Sequence, residues 1–500
     1  MTSSAEDVVV PGGEAAGANH QARDQRLSRG LLAVYGAGTM VNDVTAFGLN
    51  TLLLFYLTIV CGLSGSAAGI ALGVALVVDS FIDPLVGSLS DNSRSRHGRR
   101  HPYMLASAIP IVVSFVLLFS IPAGLSGAAL FAYALVVILA ARISLSLFYV
   151  PYVALGAELS DDYAERSTIV AARVLFSVVA AVLAAFLAYG VFMRGPGGQT
   201  HRDAYPPFAL TCGLIAFAAA AISIFGTMGA RGRLHTASAP QGGAAIGRLA
   251  IEVAEVFRNR SFRILFAACL ILFVALGAAG ALGLHANTYF WKLPTPAILV
   301  ITLSASVGVL AGVFVAAAMA RTLEKRVVAV LGLALIGLCQ LTPVLLQLGG
   351  LIPKGGVVIT LMIASALGGL GGSIATIGFQ SMMADAADEH EHLFGARREG
   401  LYFAGITLSA KASSGIGALI AGVVLDLIGF PHGVGNLGAH VAIPAHTIRD
   451  LGLAYGPGAS VLTAFSTITL MSYRRGKREH DEVREALQRR REAAGRGGAP

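Results

Sequence analysis

Charge is what this sequence has least of. Asp, Glu, Lys and Arg make up 13% of its 500 residues, while hydrophobic types make up 55%. Soluble domains carry about 25% charged residues, so a water-soluble globular fold is excluded. Tryptophan occurs once, as Trp291, at the outer end of an apolar segment where an interfacial anchor is expected. The four cysteines, Cys61, Cys212, Cys269 and Cys339, lack CxxC spacing, which indicates neither a disulfide framework nor a zinc site. There is no GxxxxGK nucleotide loop and no metal-spaced His pair in an apolar stretch; His432, His440 and His446 fall in a loop. An enzyme is not expected, nor a cofactor. Residues 1–30 contain no apolar h-region, so no cleaved signal peptide is expected.

What the chain has is apolar length. Twelve segments are long enough for a helix to cross hydrocarbon: 31–60, 66–90, 103–122, 127–158, 168–193, 207–229, 262–291, 296–320, 327–349, 356–384, 400–430 and 451–473. The basic residues check that reading. With the amino terminus inside, the outer loops hold only Arg194, Arg202, Lys292, Lys354 and Arg449, and most of the rest fall on the inner side. That asymmetry puts both termini in the cytoplasm and the protein in the cell membrane. The net charge of +8 is spent on topology, so the expected partner is the lipid bilayer and not nucleic acid.

The expected fold is an all-α membrane protein of twelve transmembrane helices in two pseudo-symmetric six-helix halves. Its divisions are a tail (1–30), a first half (31–229), a linker (230–261), a second half (262–473) and a charged tail (474–500). Basic turns at Arg94–Arg100 and Arg321–Arg326 recur at the same place in each half, a weak internal repeat of the kind transporters carry. The sixty glycines suit close helix contacts in a membrane; Gly36, Gly38 and 368–372 are expected at such contacts.

The few charges at depth are therefore informative. Asp79 and Asp83 lie one turn apart in the run Val77–Gly87. Each ionised carboxylate at bilayer depth costs roughly 2.5 to 3.5 kcal/mol or more, so two on one face call for a positive charge. The alternative is that Asp83 ends the helix beside Pro84 while Asp79 snorkels to water. The helix runs on for about two turns, however, which is far for so short a side chain. Asp43 adds a third carboxylate, and Arg142, Arg173 and Lys411 bring positive charge. Charges of both signs on five spans are buried together only around a shared polar cavity. Arg142, Ser146 and Tyr149 form one polar stripe. Lys411 enters the field of Asp79 and Asp83 when a cation is absent, which would couple cation occupancy to the position of the halves.

These residues resemble the glycoside-pentoside-hexuronide:cation symporters, the melibiose-permease-like branch of the major facilitator superfamily, from Tyr35 to Tyr473. The match is carried by Tyr35–Asp43, by Asp79–Pro84 leading to Ser93–Pro102, by Val150-Pro151-Tyr152 with Glu165-Arg166, and by Met383–Glu391 with Arg398-Glu399-Gly400. The resemblance implies a major facilitator fold, a cation site at Asp79 and Asp83 for sodium or a proton, a sugar-ligand aspartate at Asp43, and the family's arginine and lysine at Arg173 and Lys411. It also implies that Asp91, Arg94, Arg96, Arg99 and Arg100, with Glu165, Arg166, Asp385, Asp388 and Glu391 in basic and acidic loops, form cytoplasmic networks that latch the halves. Two departures stand out: Tyr149 replaces the sugar-binding aspartate before Pro151, and Val153 replaces the indole platform.

The expected function is cation-coupled symport of a sugar, glycoside or related small solute by alternating access, by a monomer. Asp43, Arg142, Ser146, Tyr149, Tyr152 and Arg173 are expected to face the solute and Lys411 to couple it to the cation. A lysolipid or other amphipath is the alternative cargo; a non-transporting sensor or scaffold is the alternative class.

Overall fold

The computed structural model describes residues 27–93, 95, 98–160, 162–195, 197–229, 254–353, 355–395, 399–436, 443–473, 482–483 and 485–489. Every regular element among them is a helix. Eleven are long and apolar enough to cross a membrane: α1 (Arg29–Val60), α2 (Gly65–Asp91), α3 (His101–Phe119), α4 (Gly127–Glu158), α5 (Glu165–Phe192), α6 (Arg202–Met228), α7 (Arg260–Phe290), α8 (Thr295–Met319), α9 (Lys325–Leu348), α10 (Val357–Phe394) and α11 (Gly400–Leu427). The twelfth, α12, is built from Ala445–Leu453, a π-helical turn at Ala454–Gly458 and Ala459–Met471. Its Gly456-Pro457-Gly458 and its hydroxyls leave it less apolar than the rest. Most of the expected linker and both outer tails lie outside the described residues.

Caps set several boundaries. The Ser64 hydroxyl accepts from Ala67 N–H ahead of α2, the Asp162 carboxylate accepts from Glu165 N–H ahead of α5, and Asn259 Oδ1 accepts from Ser261 and Phe262 N–H ahead of α7. One boundary differs from expectation. Because α10 continues to Phe394, Asp385, Asp388 and Glu391 stand on its last turns and not in an acidic loop.

The two halves repeat each other in packing. In the first, α1 packs on α5 and α6, α2 on α4, and α3 on α4 and α6; in the second, α7 packs on α11 and α12, α8 on α10, and α9 on α10 and α12. The helix ends repeat as well. Both α1 and α7 finish in a five-residue π turn, Tyr56–Val60 and Ala286–Phe290. Each is followed by a residue of positive φ, Gly62 at 82° and Lys292 at 50°. The wider turn carries Trp291 into the second half, where it is 5% exposed and packed edge-on against Phe290. The expected lipid-interface anchor is thus an interior residue.

Between halves, α2 packs on α11, α1 on α7, and α5 on α8. Glycine permits the closest of these approaches: a Cβ at Gly69 would meet Leu419 Cα at 3.0 Å, and a Cβ at Gly422 would meet the Gly65 backbone. Polar ties reinforce the end away from the termini. Asp426 of α11 accepts from the N–H groups of Gly65 and Ser66 at 2.8 Å each, capping α2 from the opposite half. Thr58 bonds His285 at 2.9 Å, and Gln199 bridges Thr288 at 2.8 Å and Thr295 at 2.9 Å. Along its whole length α2 exposes one apolar stripe, Ile70, Val74, Val77, Phe81, Leu85 and Leu89, as a lipid-facing helix does.

Removing the Asp426 cap should loosen that closed end at a cost of about 1 kcal/mol, typical of a lost N-cap. Asp426→Ala is expected to speed maleimide labelling of Cys61, in the adjoining turn, several-fold over the buried Cys212 of the same molecule. Peptide-resolved mass spectrometry reads both, and an unchanged ratio would refute the role given to the cap.

Candidate functional site

At mid-depth, α2 and α11 exchange charge across the halves. Lys411 Nζ donates to Asp79 Oδ2 at 3.2 Å and to Asp83 Oδ2. Asp79 is 3% exposed, and its other oxygen accepts from Ser146 Oγ of α4 at 2.6 Å. The side chains of Asp83 and Lys411 are 23% and 29% exposed, so the cluster is reached from one side. Asp83 Oδ1 is buried and lacks a hydrogen-bond partner. Arg142 lies in the field of both carboxylates and donates from Nη2 to Asn50 Oδ1 of α1 at 3.4 Å. Two negative and two positive groups are therefore matched in one place. At an effective dielectric of about 20, each close pair is worth of order 4 kcal/mol, enough to offset much of the desolvation only while all partners are present.

The donor set fits a small cation. Two carboxylates and the Ser146 hydroxyl converge, one carboxylate oxygen is unclaimed, and the lysine ammonium already stands where a positive ion would be held. Ser146, expected to face a solute, serves Asp79 instead: it follows Arg142 by one turn, which aims its hydroxyl at α2.

A second group lies on α4 and α5. Arg173 Nη2 donates to Tyr149 OH at 3.0 Å, and its guanidinium lies 5.9 Å and 5.8 Å from the ring centres of Tyr149 and Tyr152. Tyr149 is half-buried, whereas Tyr152 is fully buried, stacked on Tyr35 and donating its hydroxyl to Tyr35 O at 2.9 Å. Tyr152 thus supports the arginine from behind and does not present its hydroxyl to a cavity. Gly38 makes room for it, since a Cβ there would strike the Tyr152 ring. Asp43 is half-buried, accepts from Asn42 Nδ2 at 2.8 Å, and has no ion pair among the described residues.

Among the described residues, the charged ends toward the termini pair within each half. Arg99 and Arg100 both bond Glu158 of α4, at 2.7 Å and 2.9 Å, and Arg100 also pairs with Asp91. Glu165 accepts from Leu27 N–H at 3.0 Å and from Ser160 Oγ at 2.6 Å, while Arg166 donates to Ser160 O at 2.9 Å. In the second half, Lys325 pairs with Asp385 at 2.6 Å. Asp388 is half-buried on α10 beside Glu391. Arg94 and Arg96 lie outside the described residues.

Asn50, Gln199 and His285 were not singled out by sequence reasoning. An asparagine or a lone histidine in an apolar helix was a signal for two of them. Gln199 is in a loop and offered none.

The chain matches the MFS/sugar transport protein family model over residues 34–475. It is 24% identical to an uncharacterised symporter of Synechocystis sp. over 91% of this chain and 96% of the relative. It is likewise 24% identical to the isoprimeverose transporter of Lactiplantibacillus pentosus over 76% of this chain and 77% of the relative. Among solved structures, the nucleoside transporter NupG superposes with a TM-score of 0.60 at 13% identity, over 89% of this chain and 100% of that one.

Lys411→Ala strands two carboxylates at depth and should destabilise the protein, whereas adding Asp83→Asn restores part of the charge balance. A double-mutant cycle on thermal or denaturant stability is expected to give a coupling of about 1–3 kcal/mol. Additive losses would show that the lysine and Asp83 do not hold one another.

Proposed function

The chain belongs to the MFS/sugar transport protein family, and from that premise we propose that it carries a sugar-like solute across the cell membrane in symport with sodium or a proton. The observation that carries this reading is the Lys411 ammonium, which bridges Asp79 and Asp83 from the opposite half. An arriving cation competes with that ammonium for the same oxygens. Lys411 leaves the carboxylates when the ion binds, and α2 and α11 lose their mid-depth tie. Ion occupancy then biases the relative position of the halves, and a ligand shifts such an equilibrium only by its differential affinity for the two states.

In this reading Asp79, Asp83 and Ser146 hold the ion. Asp43, Arg142, Tyr149 and Arg173 face the solute, and Tyr152 fixes Arg173. The polar ties and glycine contacts at the end away from the termini correspond to a closed outer gate. Asp91, Arg99, Arg100, Glu165, Arg166, Asp385, Asp388 and Glu391 belong to the inner gate, which pairs between halves when the inner side closes; the pairs seen among the described residues lie within one half. The names of the relatives, two of them a symporter and an isoprimeverose transporter, support the assignment of cargo class.

Proteoliposomes loaded with a sodium or a proton gradient test the proposal against a panel of pentoses, hexoses and their glycosides. Uptake of at least one of them should rise tenfold or more with the gradient, and Asp79→Asn and Asp83→Asn should each reduce it to the passive level. Gradient-driven uptake that survives both substitutions would remove the ion site from α2.

A further inference from the structure

The second half holds a cleft of about 330 Å³ between α7, α9, α10 and α12 that the symport reading leaves unused. Most of its wall is apolar or small, with Leu276 and Gly280 from α7, Val344 from α9 and Gly368 from α10, while Gln340 of α9 and Ser365 of α10 add polar side chains. The small residues leave α7 and α10 apart, and Gly280 faces open space, with nothing within 4 Å of where its Cβ would be. Trp291 closes one end of the cleft, and its indole N–H is buried.

The position of this cleft relative to the charged cluster is what gives it meaning. On α7, Gly277 and Ala281 line the small pocket that contains Asn50 and Arg142. Leu276 and Gly280, each one residue earlier, line the cleft. The two spaces thus open from adjacent positions on α7, about 1.5 Å apart along its axis and about 100° apart around it, within the reach of one small molecule. The halves also divide the chemistry. Among the described residues, Asp43, Asp79, Asp83, Arg142 and Arg173 of the first half bring charge to mid-depth, and the second half brings Lys411 alone. A solute spanning both meets charged groups on one side and a cleft with mostly apolar side chains on the other.

We propose that the cleft is a subsite for the apolar aglycone of a transported glycoside, so that the cargo is an amphipathic glycoside and not a free sugar. This rests on the symport reading for the sugar half of the ligand. It accounts for a cavity of ligand size, with mostly apolar side chains in its walls, directly beside the charged site.

Trp291 is the single tryptophan of the chain and therefore reports on the cleft by itself. The test uses paired methyl and 6-bromohexyl glycosides of glucose, galactose and xylose on the purified full-length protein, with and without sodium. It reads thermal stabilisation together with bromine quenching of the tryptophan emission. For the sugar whose methyl glycoside binds, the bromohexyl glycoside should bind about tenfold or more tightly, as burying a few methylenes implies, and should quench saturably. Gly280→Leu fills open space without a clash and should abolish both the gain and the quenching while leaving methyl glycoside affinity unchanged. Equal affinities for the two glycosides, or quenching indifferent to Gly280→Leu, would overturn the cleft assignment and leave the symport reading standing. Saturable, Gly280-dependent quenching with no methyl glycoside bound would sustain the cleft and remove the sugar. Absence of any saturable binding would overturn both.

Discussion

The lysine ammonium between two aspartates is the constraint on which the rest depends. Carboxylates at bilayer depth are tolerated only with positive charge at hand, and here the nearest such charge belongs to the other half of the molecule. The halves are therefore joined by an interaction that hydrophobic packing cannot replace. Lipid tails are as apolar as leucine, so helices in a bilayer gain little from burying side chains against one another. Ion pairing at mid-depth and close backbone contact above it do the joining instead.

Close contact is supplied by small residues. Gly65 and Gly69 of α2 meet Leu419 and Gly422 of α11 backbone to backbone, which brings the N-terminus of α2 within reach of Asp426. The same approach brings Lys411, about four turns farther along α11 at 1.5 Å per residue, level with Asp79 and Asp83. A bulky residue at the glycine contact would move the lysine as well as the cap. The packing and the electrostatics are one arrangement seen at two depths.

The division into two halves and the carboxylate–lysine cluster were legible in the sequence, because charges in apolar segments and basic loop residues are rare enough to be read singly. Side-chain direction was less legible. Arg142, Ser146 and Tyr149 share a helical stripe, yet Ser146 turns to Asp79, Arg142 to Asn50 and Tyr149 to Arg173, because each meets a different neighbouring helix. Tyr152 was expected at a solute and is buried, because it stacks on Tyr35 of α1 and bonds its carbonyl. Trp291 was misplaced for a local reason: a single π turn redirects the end of α7, and composition carries no sign of it. The length of α10 was hidden by the acidic residues on its last turns, which read as a loop although their neighbours Ala386, Ala387 and His390 are buried.

A displaced lysine needs somewhere to go, and this decides whether ion and solute are coupled or merely coexist. Were Lys411 to swing into water, the ion would gain the two aspartates at little cost and the solute would not sense the exchange. Under the proposed symport, Asp43, half-buried on α1 and without an ion pair among the described residues, would be the candidate second acceptor for the ammonium. A polyhydroxylated solute that claimed the Asp43 carboxylate would then remove that refuge and alter the lysine's equilibrium between its two positions. The coupling free energy between ion and solute would be set by a competition for two sets of carboxylates, and by reciprocity each ligand would change the affinity for the other by the same factor. Arg142 enters the balance from the side: with its charge fixed near Asp79 and Asp83, it limits how much negative potential the departing lysine leaves behind, and hence how tightly a single small cation is held.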